Sequence, residues 1–171
     1  MYRVAVERST HHLAQVNVAR LRAPVTAPLL ADFVEALEPI NALADGSPGF
    51  VWRLQTDAGD ATSIQAYDDD RIIVNMSVWT SLESLGDFVY RSRHADVMRR
   101  RREWFEQMTD AFVALWWISE GHIPTVTEAK ERLVLLEANG PGPDAFTFRF
   151  PFAAPGAPFD ATSRADDRCW A

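Results

Sequence analysis

The chain has 171 residues, of which 47% are hydrophobic, including six Trp and ten Phe. A chain of this length can bury a core, and its composition is too apolar for a disordered protein. The formal net charge of −7 argues against a general nucleic-acid-binding function, so no nucleic-acid partner is expected.

The composition also limits the compartment and the kinds of site. Cys169 is the one cysteine of the sequence, which excludes an internal disulfide and a cysteine-rich metal site. No apolar run approaches the roughly 20 residues of a membrane span. Charged residues soon after Met1 interrupt any signal-peptide core. We therefore expect a cytoplasmic protein with no membrane partner.

The first third of the chain predicts a strand, a helix and a second strand. Residues 13–21 alternate aliphatic and amide side chains, as a half-buried strand does. Residues 28–45 have the apolar spacing of a helix, which Pro39 is expected to kink or divide. Residues 50–55 predict the second strand, and residues 62–67 predict a short extension that pairs back on it.

The third predicted strand, residues 71–79, has two unlike faces. One face is aliphatic and suits a core beneath helices. The other face is polar and aromatic, which suits the wall of a ligand cavity. The side chains of this second face are Ile73, Asn75, Ser77 and Trp79. Because Gln15 and Asn17 repeat the pattern on the first strand, we expect the two strands to share a partly wet interior.

Two helices are predicted after the third strand. Thr80 or Ser81 is expected to cap the first, because short hydroxyl side chains satisfy the free N–H groups of a helix start. The sequence predicts a break around residues 91–93 and a second helix from about residue 94 to residue 108. On that second helix, His94, Val97, Met98, Arg101 and Phe105 fall along one stripe.

The last third predicts a buried strand and a final helix. Residues 112–118 are apolar throughout, which indicates a strand buried on both faces. Thr125 or Thr127 is expected to cap the helix, with Glu128 placed as in a capping box. Beyond residue 152 the chain is rich in Ala, Pro and Gly, which is typical of a loose tail.

The order of these elements predicts an α+β fold of the ferredoxin-like split βαβ type, with an antiparallel sheet. Such a sheet carries its helices on one face. We expect the aliphatic strand faces to lie beneath the helices and the amide faces to be covered by the sheet of a second subunit, which gives a dimeric α/β barrel. The domain is predicted to span residues 1–152, with residues 153–171 as the tail.

The candidate site residues come from the amide face and from the helix after it. His94 is the candidate for proton transfer, because the pKa of a histidine lies near neutrality. The predicted catalytic residues are His94, Asn17 and Tyr90, and the predicted substrate-binding residues are Gln15, Asn75, Ser77, Trp79, Arg101 and Trp116. Several have structural alternatives: an amide satisfied by a neighbour, a histidine bonded to backbone, or a side chain in packing and ion pairs.

Metal and phosphate sites are not expected. His11 and His12 are adjacent, so their side chains diverge on a strand. The acidic run Asp68-Asp69-Asp70 is most simply a solvated turn, since it brings no further oxygen ligands. No phosphate-binding glycine loop or nucleophile elbow is present.

Several ordered motifs closely resemble a bacterial family of uncharacterised proteins known as DUF3291. They cover roughly residues 12–152. The motifs are His12-Leu-Ala-Gln-x-Asn17, Ser47-Pro-Gly-Phe-Val-Trp-Arg-Leu-Gln55, Asn75-Met-Ser-Val-Trp79, Phe88-Val-Tyr-Arg-Ser-x-His94, Arg102-Glu-Trp-Phe105, and Leu115-Trp-Trp117 followed by Gly121-His122. The family looks like part of the dimeric α/β-barrel superfamily, which includes antibiotic-biosynthesis monooxygenases and haem-degrading monooxygenases. The resemblance thus implies this fold, and a function only by analogy.

The resemblance to haem-degrading proteins is incomplete at the site. In those proteins an Asn on the first strand accompanies a Trp and a His on the second helix. Asn17 matches the Asn, but Phe88 stands nearest the Trp position and Met98 nearest the His position. His94 lies one turn earlier, which departs from the haem-degradation pattern.

Three functions follow as hypotheses. The first is a small monooxygenase-like enzyme without an organic cofactor, which acts on an aromatic or polycyclic molecule. The second is a haem-binding protein with His94 as the axial ligand. The third is a homodimer that binds a small aromatic or apolar ligand without catalysis.

Overall fold

The computed structural model describes residues 10–108 and 112–157. Four strands form one sheet in the order β2-β3-β1-β4, with every neighbouring pair antiparallel. This order and the helical crossovers are those of a split βαβ unit, as predicted. The strands are β1 (His11–Arg20), β2 (Phe50–Arg53), β3 (Ile72–Trp79) and β4 (Val113–Ser119).

A 3₁₀ turn and five α-helices complete the described fold. Pro39 lies inside the first helix without dividing it. None of the helices in the described ranges is long and apolar enough to cross a membrane. The 3₁₀ turn spans Pro28–Leu30, and the helices are α1 (Ala31–Asp45), α2 (Leu82–Arg91), α3 (His94–Arg99), α4 (Arg101–Trp104) and α5 (Val126–Asn139).

Hydroxyl side chains start α2 and α5. The Ser81 hydroxyl accepts a hydrogen bond from the N–H of Ser84 at 3.1 Å, and the Thr125 hydroxyl accepts one from the N–H of Glu128 at 3.1 Å. Each bond satisfies one of the N–H groups that a helix start leaves without a partner. Of the paired alternatives in the sequence, Ser81 and Thr125 are therefore the caps.

The helix predicted from residue 94 to residue 108 is shorter and divided. Phe105 has left the helix with extended backbone and forms an isolated bridge with Leu21. The N–H of Glu106 donates to the carbonyl of Arg20 at 2.8 Å, and the N–H of Arg22 donates to that of Trp104 at 2.9 Å. These bonds to the end of β1 replace the bonds that would continue the helix.

The predicted extension at residues 62–67 is wrong. Asp60 accepts hydrogen bonds from both the N–H and the hydroxyl of Thr62, at 2.8 and 2.6 Å. A short acidic side chain that bonds the backbone two residues later stabilises a turn. Residues 54–71 accordingly contain turns and bends but no strand.

The prediction of which sheet face lies beneath the crossover helices is also wrong. The amide face carries α1, α2 and α3, because its apolar residues, such as Leu13, Ile73 and Trp79, pack in clusters that include residues of those helices. The aliphatic face instead packs against α5, through Ala129, Leu133 and Leu136. Helices thus lie on both faces of this sheet, and the dimeric barrel stays a prediction.

The chain after α5 returns to the sheet. Phe146 is fully buried and exchanges backbone hydrogen bonds of 2.8 and 2.9 Å with Leu115 on β4. The Nε1 of Trp117 donates to the carbonyl of Phe152 at 2.8 Å. The described chain therefore packs against the sheet up to this point, whereas residues 1–9 of the predicted domain, Cys169 and most of the predicted tail lie outside the described residues.

Candidate functional site

A cavity of about 450 Å³ lies between the amide face of the sheet and the helices above it. Residues of β1 and β3 form its floor, α1 forms one wall, and α3 and α4 form the roof. This volume is within the range of small-molecule sites in proteins. The apolar side chains that line it include Phe33, Leu37, Ile40, Ile73, Val97 and Phe105.

Two asparagines stand side by side on the cavity floor. Asn17 and Asn75 are directly paired in the register of β1 and β3, the two central strands of the sheet. Side chains so paired have Cβ atoms about 4.5–5.5 Å apart and interact on the same face. Asn75 is the one exposed residue of β3. Both amides line the cavity, so the middle of the sheet is open to a ligand at this point.

Asn17 has a single weak protein partner among the described residues. The Gln15 Nε2 donates to the Asn17 Oδ1 at 3.4 Å, which is at the long limit for a hydrogen bond. Among the described residues, none accepts a hydrogen bond from the two N–H donors of the Asn17 amide, and Asn17 lines the cavity. A carbonyl or oxyanion of a ligand is the group that such donors bind.

His94 stands at the start of α3 and lines the same cavity. Its ring packs on Phe88, with the ring centroids 4.8 Å apart, and its Nδ1 lies 3.4 Å from the carbonyl of Val89. A carbonyl only accepts, so this contact favours the tautomer with the proton on Nδ1, which leaves the lone pair on Nε2. Burial lowers the pKa of His94, while the bond to Val89 opposes this effect. The imidazole is therefore neutral at pH 7 and can act as a base.

Arg101 reaches the cavity from the same side as His94. All five residues of the stripe predicted on this helical region line the cavity, although Phe105 lies just beyond the end of α4. The Arg101 Nη1 donates to the carbonyl of Met98 at 3.1 Å. The structure therefore brings Asn17, Asn75, His94 and Arg101 together around one space.

Ser77, Trp79 and Tyr90 do not line this cavity. Trp79 is fully buried, and its Nε1 donates to the Ser77 hydroxyl at 2.9 Å. Its ring stacks on Phe88 at 5.2 Å. Tyr90 packs edge-on against Phe148, at 5.4 Å between ring centroids. These three residues belong to the apolar core beside the cavity, and Gln15 reaches the site only through Asn17.

Trp116 lies on the opposite face of the sheet from the cavity. It pairs with Ala14 in the register of β1 and β4 and packs beneath α5. Its Nε1 donates to the Glu128 Oε1 at 2.9 Å, and the Glu128 Oε2 lies 2.8 Å from the His122 Nε2. The strand-four Trp on the amide face is Trp117, which is bonded to Phe152 and also lies outside the cavity lining.

Most of the α1 wall was missing from the predicted site. Phe33, Leu37, Ile40 and Asn41 share one face of α1 at helical spacing, and all line the cavity. This spacing was visible in the sequence, but it predicts a buried face equally well for a core and for a cavity. Arg22 was also missing, because it follows β1 without a motif.

The side chains around the cavity limit which cofactors it can hold. His94 turns its Nδ1 to a backbone carbonyl, as metal-bound histidines commonly do, and its side chain lines the cavity. Among residues 10–108 and 112–157, no three His, Cys, Asp or Glu side chains form a group that could hold a metal ion. A single histidine suits an axial haem ligand rather than a bare metal.

Solved structures similar to this chain include small oxygenases. SnoaB, a cofactor-independent oxygenase from Streptomyces nogalater, is 19% identical, with 67% of this chain and 98% of SnoaB covered, at a TM-score of 0.43. A protein from Nitrosomonas europaea assigned to the antibiotic biosynthesis monooxygenases is 12% identical, with 73% of this chain and 100% of that chain covered, at 0.45. PA3566 from Pseudomonas aeruginosa is 14% identical, with 67% and 98% covered, at 0.43.

One protein-family model matches most of the chain. No curated protein matches the chain at a significant level. One family model matches residues 12–162, and its description is "Domain of unknown function (DUF3291)". This range covers most of the 171 residues and includes the sheet, apart from His11, and the cavity. The chain therefore belongs to the DUF3291 family.

Proposed function

We propose that the protein is a small oxygenase-type enzyme that needs no organic cofactor and acts on an aromatic molecule in this cavity. The single observation that supports it is the placement of His94 and the Asn17–Asn75 pair around one largely apolar space. The apolar wall binds a ring system, and the amides orient an oxygen substituent of that ring.

The reaction that suits these groups is oxidation of a CH₂ group that is acidic because it is conjugated, directly or through an aromatic ring, with a carbonyl. The His94 Nε2 takes one proton, and the amide N–H groups stabilise the resulting oxyanion. The carbanion supplies the electrons for a C–O bond with O₂, and return of the proton gives a hydroperoxide. Loss of the second hydrogen of that carbon as a proton, with cleavage of the O–O bond, gives C=O and water. Overall, one CH₂ group and one O₂ give one C=O group and one H₂O.

The test is oxygen consumption with 1,8-dihydroxy-9-anthrone, a tricyclic phenol with an acidic methylene. We expect O₂ uptake and quinone formation in a ratio of one to one, above the rate of spontaneous oxidation. His94→Gln should lower the catalysed rate by about 10²–10⁴-fold, the usual contribution of general-base catalysis. The control His122→Gln removes a histidine on the far side of the sheet and should keep the wild-type rate.

Two results would reject the proposal in different ways. Binding of the anthrone without O₂ uptake would indicate a non-catalytic binding protein. Uptake that is equal in wild type and His94→Gln would mean that His94 is not the base.

Haem binding is the second candidate function, and the hydrogen bond from the His94 Nδ1 favours it. A metal-ligating histidine gives its other N–H to a carbonyl or carboxylate, as here. His94 would be the axial ligand, and the haem iron would supply redox chemistry. Titration with haem should then give a shifted Soret band in wild type and in His122→Gln but not in His94→Gln. A spectrum that matches free haem in all three would remove this candidate.

A further inference from the structure

A methionine lies beside His94 in the roof of the cavity. Met98 follows His94 by four residues on α3, so the two side chains share one face of that helix. Side chains at this spacing have Cβ atoms about 5–6 Å apart. Both residues line the cavity, and Met98 is half-buried. A molecule that reacts at His94 is therefore next to the Met98 side chain.

The other two methionines among the described residues have different surroundings. Met76 is 1% exposed and packs beneath α5, on the opposite face of the sheet from the cavity. Met108 lines the cavity, but it lies beyond the end of α4 and so outside the helix that carries His94. Of these three methionines, Met98 alone combines access to the cavity with a place on the His94 face of α3.

The chemistry of a thioether makes this position reactive toward peroxides. Methionine is oxidised to a sulfoxide, which replaces a flexible apolar side chain with a polar and chiral one. Its unbranched, polarisable side chain also makes favourable contacts with aromatic rings. The proposed oxygenation passes through a hydroperoxide formed on the carbon next to His94. Met98 therefore lies beside the place where that oxidant is made.

We propose that Met98 is an oxidative modification site, converted to its sulfoxide by an aromatic hydroperoxide bound in the cavity. The sulfur lone pair attacks the terminal oxygen of the hydroperoxide, an S–O bond forms and the O–O bond breaks. The proton of the terminal oxygen moves to the departing oxygen, so the hydroperoxide leaves as an alcohol and the sulfur has lost two electrons.

The modification changes the cavity as well as the side chain. A sulfoxide at Met98 adds a polar oxygen to a largely apolar roof, which weakens the binding of an aromatic ligand. Repeated turnover therefore lowers the activity of the enzyme until the sulfoxide is reduced. The inference rests on the proposed function for the source of the hydroperoxide, whereas the site itself rests on the position of Met98.

The test supplies the oxidant from outside, with two hydroperoxides that differ in one ring. Cumene hydroperoxide carries a phenyl group, and tert-butyl hydroperoxide carries a methyl group in its place. Sulfoxide at each methionine is measured by peptide mass spectrometry, and each rate is divided by that of free N-acetylmethionine. We expect the corrected rate at Met98 to be about tenfold higher with cumene hydroperoxide, because burial of a ring favours its binding in the cavity. Saturating 1,8-dihydroxyanthraquinone should remove this difference, and Met76 should stay unoxidised throughout.

Two variants link the modification to ligand binding. After treatment with cumene hydroperoxide, the wild-type protein should bind 1,8-dihydroxyanthraquinone at least about fivefold more weakly, the size of one unfavourable polar contact. Met98→Leu keeps an apolar side chain that cannot form a sulfoxide, so treatment should leave its affinity as it was before. Met108→Leu is the matched control and should lose affinity on treatment as the wild type does.

The outcomes separate this inference from the proposed function. Equal corrected rates at Met98 for the two hydroperoxides, or oxidation of Met108 with Met98 intact, would overturn the modification site. If those rates are equal while the anthrone still causes O₂ uptake, the site is rejected and the oxygenase remains. Selective oxidation of Met98 in a protein that takes up no O₂ with the anthrone would reject the oxygenase and keep the site.

Discussion

Replacement of Asn17 by Leu is expected to stabilise the protein and to weaken ligand binding. A structural amide and a binding amide respond differently to this change. If the Asn17 amide holds the sheet together, its loss costs stability. If it serves a ligand, an apolar residue at the same position should make the free protein more stable, because residues kept for function often reduce stability.

The magnitude follows from the contacts of Asn17. Its one hydrogen bond among the described residues, from Gln15 at 3.4 Å, is long, so its loss should cost about 0.5 kcal/mol, the lower end of the usual range. A Leu on the cavity floor beside Ile73 and Val97 buries about 50 Å² of apolar surface, which contributes about 1 kcal/mol. The net gain is about 0.5 kcal/mol, or a rise in Tm of about 1–2 °C.

The assay combines thermal unfolding with ligand titration. We expect Asn17→Leu to raise Tm slightly and to weaken binding of 1,8-dihydroxy-9-anthrone, followed by Trp fluorescence, by about tenfold, the size of a lost hydrogen bond in a ligand site. Gln55→Leu, at an exposed position after β2, is the control and should change neither quantity appreciably. A Tm well below that of the control, with unchanged affinity, would refute the binding role of Asn17.

Three further predictions concern stability. Because burial lowers the pKa of His94, the unfolded chain takes up a proton at this histidine before the folded protein does as the pH falls. The contribution of His94 to stability should therefore be full above about pH 6.5 and should decrease below it. His94→Gln should show a smaller decrease in Tm than the wild type between about pH 7.5 and 5.5. Ser77→Ala leaves the buried Nε1 of Trp79 without a partner and should cost about 1–3 kcal/mol in urea unfolding, with unchanged affinity for 1,8-dihydroxy-9-anthrone because Ser77 lies outside the cavity. Glu128→Ala should cost a similar amount, since it removes the acceptor of the buried Trp116 Nε1–H, whereas Glu128→Gln keeps an acceptor and should cost less; equal losses would contradict the hydrogen bond.

The strands and helix starts were predictable because local signals determine them. Aliphatic and polar side chains alternate in the middle of β1 and of β3, and a hydroxyl residue stands three positions before a helix N–H at Ser81 and at Thr125. The end of the helix after His94 was not predictable in the same way. It depends on backbone bonds between residues 104–106 and the end of β1, which are distant in sequence.

The choice of sheet face could not be made from alternation alone. The amide face also carries Leu13, Ile73 and Trp79, which pack under α1, α2 and α3, so both faces have apolar residues for helices to cover. A pattern of period two states which residues share a face but not which element lies above it. Trp116 and Trp117 are adjacent on β4 and therefore lie on opposite faces. For the same reason, the sequence alone could not decide which of the two lies on the amide face.

The pairing of Asn17 with Asn75 was within reach of the sequence, but its opening to a cavity was not. Both amides were predicted on one face, and the register places them opposite each other. The floor stays open because of the positions of α1, α3 and α4 above it. These helices hold Leu37, His94 and Arg101 around the space. Such positions follow from packing of the whole core and not from any single motif.

A crystal structure of the protein soaked with 1,8-dihydroxy-9-anthrone tests the central claim most directly, because it shows both the place of the ligand and the groups that touch it. We predict density for the tricyclic ring between the sheet and α3, with an oxygen of the ligand on the Asn17 amide and the ring carbon C10 next to the His94 Nε2. Density on the aliphatic face beneath α5, or a His94 Nε2 bonded to a protein group instead of facing the ligand, would contradict the account.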